Sequence, residues 1–184
     1  MINISSPPAK KVTRAFKIAK NLDDILVLQS DKSGITPSSF INNLLMQYFD
    51  WWQFAEKSSS FMVLDKRLFR AIIEEVDDDT SVDIARSVAL IVSREFMMFR
   101  FGKVDKESIS RYLEILGNRM NWGEITTINT EGGKVEVVAK HDLGVKWSLF
   151  LSEFISSLFS SFLAMKTTSE ISTFGCLITA IPEE

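Results

Sequence analysis

The chain has 184 residues, enough for one or two domains, and its 46% hydrophobic and 24% charged residues are those of a folded protein with a sizeable core. A net charge of −3 and a pI near 5.3 exclude a protein coated all round with basic charge. A single cysteine, Cys176, excludes an intrachain disulfide and leads to the expectation of a cytoplasmic protein.

The charge is unevenly placed. Residues 1–20 carry Lys10, Lys11, Arg14, Lys17 and Lys20 and no acidic residue, whereas residues 57–184 hold 15 basic and 19 acidic side chains. A short basic arm on an acidic body suggests one local contact with an anion. Met1 to Ala9 reads as a flexible arm, and Met1 to Lys20 lacks the apolar run of a signal peptide. Lys11 to Ala19 alternates as a short strand, and Lys20 to Asp31 has the apolar spacing of a helix that Ser33-Gly34 breaks. A second helix starts with Thr36 as N-cap and Pro37 at its first position and runs through Phe40, Ile41, Leu44, Leu45, Tyr48, Phe49 and Trp52. Lys57-Ser58-Ser59-Ser60 reads as a linker, dividing the chain into domains 1–56 and 61–184.

Beyond the linker, Phe61 to Leu64 reads as a strand. Asp65 caps a helix to about Glu75, and Asp77-Asp78-Asp79 is a capping acidic turn. Thr80, with Asp83 three residues on, opens a long helix to about Phe101, and Asp105 opens another with an apolar stripe at Ile109, Tyr112, Leu113, Leu116 and Met120. Glu124–Asn129 and Lys134–Lys140 alternate as a hairpin around Glu131-Gly132-Gly133. Trp147 to Met165 forms an amphipathic helix whose serines mark either a solvated face or a close-packing face against another subunit. Its serines and Glu153 argue against a membrane span. Ser169 to Ile181 reads as a last strand. The expected fold class is α+β, with a β-α-α unit followed by a domain of order β-α-α-α-β-β-α-β and a mostly antiparallel sheet.

The strand of the first unit has no partner in its own segment, which points to a dimer in which two strands pair. The run Val12-Thr13-Arg14-Ala15-Phe16-Lys17-Ile18, then Leu22, Ile25 and Leu26, then Ser33-Gly34-Ile35-Thr36-Pro37-Ser38-Ser39-Phe40-Ile41, resembles the ribbon-helix-helix, or MetJ/Arc, superfamily over residues 10–55. The resemblance implies a homo-oligomeric transcriptional regulator that lays a two-stranded ribbon in the major groove of double-stranded DNA. With Phe16 and Ile18 toward the dimer core, Thr13, Ala15 and Lys17 face base edges. Lys10, Lys11 and Arg14 lie where they reach phosphates, and Thr36, Ser38 and Ser39 hold a phosphate at the start of the second helix. Arg14 departs from the aliphatic residue usual at its register, and Ala15 makes a less polar triplet than many in the family.

Residues 61–184 carry no Gly-rich phosphate loop, nucleophile elbow or Cys-x-x-Cys, so an enzyme is not expected and no catalytic residue, metal or cofactor is indicated. His141, the only histidine, and Cys176 fall short of a transition-metal site. Phe96, Met97, Met98, Phe99 and Phe101, with Trp147, Phe150, Phe154, Leu158 and Phe162, read as core or as a ligand pocket. Asn121-Trp122-Gly123-Glu124-Ile125 and the run Ser172 to Leu177 are faintly similar to ligand-binding 4-vinyl reductase domains, which would imply a small-molecule sensor. The second domain is thus expected to oligomerise, sense a ligand or dock a protein. Two alternatives remain: an antitoxin whose second region wraps a toxin, and a dimeric interaction protein that does not bind DNA.

Overall fold

A computed structural model describes residues 12–58 and 63–183. The chain divides into two compact units at Leu45/Met46. The described residues combine α-helices with a four-stranded antiparallel sheet, so the α+β expectation holds at that level.

In the first unit, residues 12–19 form neither helix nor strand, and the expected ribbon strand is not formed. The physical reason is that a strand needs an adjacent strand for its N–H and C=O groups, and among the described residues none lies beside this segment. Helix α1 spans Lys20–Lys32 and stops at Ser33-Gly34, where the N–H of Ile35 donates to the carbonyl of Ser30 at 3.0 Å. Helix α2 spans Pro37–Gln47. Thr36 caps it as its sequence implied, its Oγ1 accepting from the Ser39 N–H at 3.2 Å.

The helical stretch does not end with α2. It passes through a π-helical turn at Tyr48–Trp52 into α3, Gln53–Ser58. Trp51 and Phe54 are buried in the second unit, against Phe96 at ring-centroid distances of 5.8 and 5.0 Å. The unit boundary therefore falls inside the stretch and not at the serine-rich segment. Aromatic burial decides this, since these two rings have their apolar partners on the second unit.

The second unit continues with α4 (Lys66–Glu75), α5 (Asp78–Phe101) and α6 (Lys106–Met120). Then come β1 (Glu124–Asn129), β2 (Val135–Lys140), α7 (Val145–Leu163), β3 (Met165–Ser172) and β4 (Gly175–Pro182). Of the strand expected at 61–64, residues 61 and 62 lie outside the described residues, and Val63 and Leu64 form no strand. Asp65 caps α4 as expected, accepting from the N–H groups of Arg67 and Leu68. The cap of α5 is Asp77 instead of Thr80; the N–H and hydroxyl of Thr80 both donate to its carboxylate, at 2.8 and 2.6 Å. Asp105 and Ser108 form a reciprocal capping box at the start of α6.

The sheet has the order β1-β2-β4-β3, every pair antiparallel. The single last strand expected over 169–181 is a hairpin, β3 and β4, turning at residues 173–174. Alternation sends Val135, Val137 and Ala139 of β2 and Cys176, Ile178 and Ala180 of β4 to one buried face. Helix α7 packs on β3 and β4, and α5 packs on α7. The serine face of α7 is neither solvated nor an intersubunit surface along most of its length: Ser148, Ser152 and Ser157 are buried within the chain. Ser81, Ala85, Ala89 and Ser93 of α5 are buried too, so small side chains let these helices approach closely. Arg86 of α5 donates to Glu153 of α7 at 2.7 Å.

Two glycines set the spacing between strands. A Cβ on Gly123 would lie 2.5 Å from the Lys140 carbonyl oxygen, and one on Gly175 would lie 2.1 Å from that of Ala139. Only glycine allows the backbone to come so close on both sides of β2.

Candidate functional site

The N-terminal unit presents apolar and polar groups together. Neither helix buries an apolar residue: the one buried side chain of α1 is Ser30, and α2 has none. Phe16 is 65% exposed, and Leu22, Ile25, Leu28, Leu44 and Leu45 are about half exposed. Leaving this much apolar surface in water is unfavourable at roughly 25 cal/mol per Å².

The residues expected to touch DNA divide into three sets. Thr13, Ala15, Lys17 and Arg14 are all exposed on the segment 12–19. The alternation that would send Phe16 and Ile18 to one side and Thr13, Ala15 and Lys17 to the other is not expressed, because no strand forms. Thr36, Ser38 and Ser39 sit together, exposed, at the start of α2. Two backbone N–H groups there have partners: that of Ser39 donates to Thr36 Oγ1, and that of Phe40 to the Thr36 carbonyl at 2.9 Å. The Thr36 hydroxyl donates to Ser39 Oγ at 3.0 Å. Lys10 and Lys11 lie outside the described residues.

In the second unit, the Ser148 hydroxyl lies 2.9 Å from His141 Nε2. This is the spacing of a nucleophile and its base, but the chemistry runs the other way. The N–H of Leu143 donates to His141 Nδ1 at 3.2 Å, so in the neutral ring Nε2 carries the proton and donates to Ser148. Ser148 is fully buried, and His141 is pulled below the ordinary imidazole value chiefly by that burial. The pair pins the β2–α7 loop to α7. Cys176 is buried, and burial pushes its thiol up to about 12, so no thiolate nucleophile is available there.

The aromatic residues of α7 form a packed stack. Trp147 and Phe150 lie 4.8 Å apart and nearly parallel, Trp122 stands edge-on to Trp147 at 5.2 Å, and Phe154 is 5.3 Å from Trp122. The Trp147 indole N–H donates to the Trp122 carbonyl at 2.9 Å. Phe96 and Met97 of α5 are fully buried, while Met98 and Phe99 reach the surface. These rings fill the core, and the Trp122-Gly123 and Phe174-Gly175 pairs mark strand contacts with β2. Among the described residues no helix is long and apolar enough to cross a membrane.

No protein-family model and no curated protein matches the chain. Among solved structures it is similar to the crystal structure of an H-NOX protein from S. oneidensis in the Fe(II)NO ligation state. That likeness spans 97% of this chain and 84% of the other, at 9% identity and a TM-score of 0.28, too weak to bear on fold or function.

Proposed function

We propose that the protein is a homo-oligomeric, DNA-binding transcriptional regulator whose residues 10–55 form one half of a ribbon-helix-helix dimer. The observation that carries this reading is the unburied apolar surface of the N-terminal unit beside a basic arm. Phe16, Leu22, Ile25, Leu28, Leu44 and Leu45 are exposed in a single chain, and a second copy of the same helices would cover them. Pairing of residues 12–18 with their symmetry mate would satisfy the backbone of the segment and create the alternation it lacks alone. Thr13, Ala15 and Lys17 then face bases, while Arg14, Lys10, Lys11 and the Thr36, Ser38 and Ser39 cluster take phosphates. At that cluster the exposed hydroxyls and the helix dipole supply most of the attraction, because the N–H groups of Ser39 and Phe40 already have acceptors.

The second unit serves as the assembly or effector domain. Its folded core of more than a hundred residues fits a short, toxin-wrapping tail poorly. The test is selection from a random double-stranded DNA pool with the full chain at two salt concentrations, Lys17→Glu alongside. Enrichment of a palindromic site by the native protein, abolished in the variant, supports the reading. An absence of binding at low salt overturns it and leaves the first unit as a dimerisation device.

A further inference from the structure

We propose that the free edge of β3 is a self-interface, at which two copies of the strand pair antiparallel about Thr168 and join their sheets into one. β3 is one end of the sheet, and its outer side meets no strand among the described residues. A two-residue turn closes the β3–β4 hairpin, so Ser172 and Gly175 exchange both backbone bonds, and every second residue back from Ser172 does the same with β4. The N–H and C=O groups of Thr167, Ser169 and Ile171 therefore point outward. Natural edges are usually shielded by a bulge, a proline or a covering element. β3 pairs with β4 from Met165 to Ser172 without a bulge, contains no proline, and is exposed from Thr168 to Ser172. At the opposite edge α6 packs against β1.

Charge along the strand identifies the occupant as a second copy. Lys166 and Glu170 lie on one face of the sheet, both exposed, and neither makes an ion pair among the described residues. In an antiparallel pair, directly opposite residues share a face and their numbers sum to a constant. With Thr168 opposite Thr168 of the second copy, Lys166 stands opposite Glu170 and Glu170 opposite Lys166, so the twofold makes both ion pairs at once. On the other face this register sets Ile171, 42% exposed, opposite Met165, and Thr167 opposite Ser169. The pairing runs from Met165 to Ile171. Moving the centre to Ser169 pairs as long a run but sets Lys166 opposite Ser172 and Glu170 opposite Thr168, so charge selects Thr168. An in-register parallel pairing sets like charges side by side. This edge lies wholly on the second unit, so it is distinct from the N-terminal pairing.

The experiment is disulfide cross-linking of the full chain under mild oxidation, read on a non-reducing gel. Cys176 is buried, so the native chain should give no covalent dimer. Thr168→Cys should cross-link to its mate, because Cα atoms in a non-hydrogen-bonded pair lie about 4.5 Å apart. Ser169→Cys should not, because its mate is on the diagonal, about 7–8 Å away. Adding Lys166→Glu to Thr168→Cys should raise the protein concentration needed for cross-linking about tenfold, since two like pairs replace two opposite ones. The further change Glu170→Lys should restore it, since the double swap rebuilds both pairs with their signs exchanged. Circular dichroism matching the native protein shows that each surface variant folds. A Thr168→Cys yield no higher than that of Ser169→Cys overturns the inference, whether both cross-link or neither does. A Thr168→Cys cross-link indifferent to Lys166→Glu overturns it too, because the charges then do not select the pairing.

Discussion

Arg100 of α5 donates through Nη2 to Oδ1 of Asp50 at 2.9 Å, which ties the long helix to the π-helical turn before α3. Arg119 of α6 approaches the other carboxylate oxygen at 3.7 Å, so one acid joins three elements. The Asp50 side chain is 13% exposed, and Arg100 Nε is buried without a hydrogen-bond partner among the described residues. Removing the acid therefore leaves two guanidinium groups uncompensated at the edge of the core. Asp50→Ala is expected to cost about 2 kcal/mol. Tm should fall by roughly 4–8 °C in a scanning calorimetry experiment, given about 2–4 °C per kcal/mol for a domain of this size. An unchanged Tm would show that the triad contributes nothing.

Gly175→Ala tests the closeness of β4 to β2. Its Cβ would meet the Ala139 carbonyl oxygen at 2.1 Å, a distance that forces the strands apart. We expect a loss of about 3 kcal/mol, at the upper end of overpacking effects. Urea unfolding followed by tryptophan fluorescence reports it directly, because Trp122 and Trp147 lie in the same unit.

His141 makes stability depend on pH in a defined direction. Burial holds its folded-state value below that of the unfolded chain, so between the two values the unfolded state binds more protons. Stability from this group is full above the ordinary imidazole value near 6.5 and is lost as pH falls from there toward the lower folded value. His141→Gln removes the dependence. Urea midpoints measured at pH 7.5 and 5.5 should converge in the variant and differ more in the native protein; equal pH sensitivity in both would refute the assignment.

The salt dependence of DNA binding separates phosphate contacts from base contacts. Under the regulator reading, Arg14→Gln should lower the slope of log K against log salt by about 1 for each phosphate that the arginine neutralises, and weaken all sequences alike. Thr13→Ala should leave that slope unchanged and relax discrimination at one base pair. Equal slopes for Arg14→Gln and the native chain would take Arg14 off the DNA backbone.

Local chemistry was readable from the residues alone. Asp65, Asp105 and Thr36 cap the helices they precede because a cap depends on a side chain and an N–H two or three residues away. The β1–β2 hairpin was legible for the same reason, with Gly132 and Gly133 marking its turn. The β3–β4 turn was not: Thr173-Phe174 carries none of the Asn-Gly or Asp-Gly chemistry that announces a hairpin, so two strands read as one. The base-facing set of Thr13, Ala15 and Lys17 was implied by the resemblance, and alternation alone does not make it a face: among the described residues no strand pairs with residues 12–19.

The sequence by itself determined the caps at Thr36, Asp65 and Asp105, a mostly antiparallel sheet, and that a basic arm precedes an acidic body, since each follows from neighbours along the chain. Only the tertiary structure decided what each face covers. Trp51 and Phe54 continue the helical pattern of α2 without a break, yet they are buried beside Phe96, some forty residues on. The serines of α7 have the spacing of a solvated or intersubunit face, yet Ser148, Ser152 and Ser157 are buried within the chain, where α7 packs on α5 and the sheet. Periodicity reports that a helix has two sides, and burial energy, summed over partners distant in sequence, chooses which of them is dry.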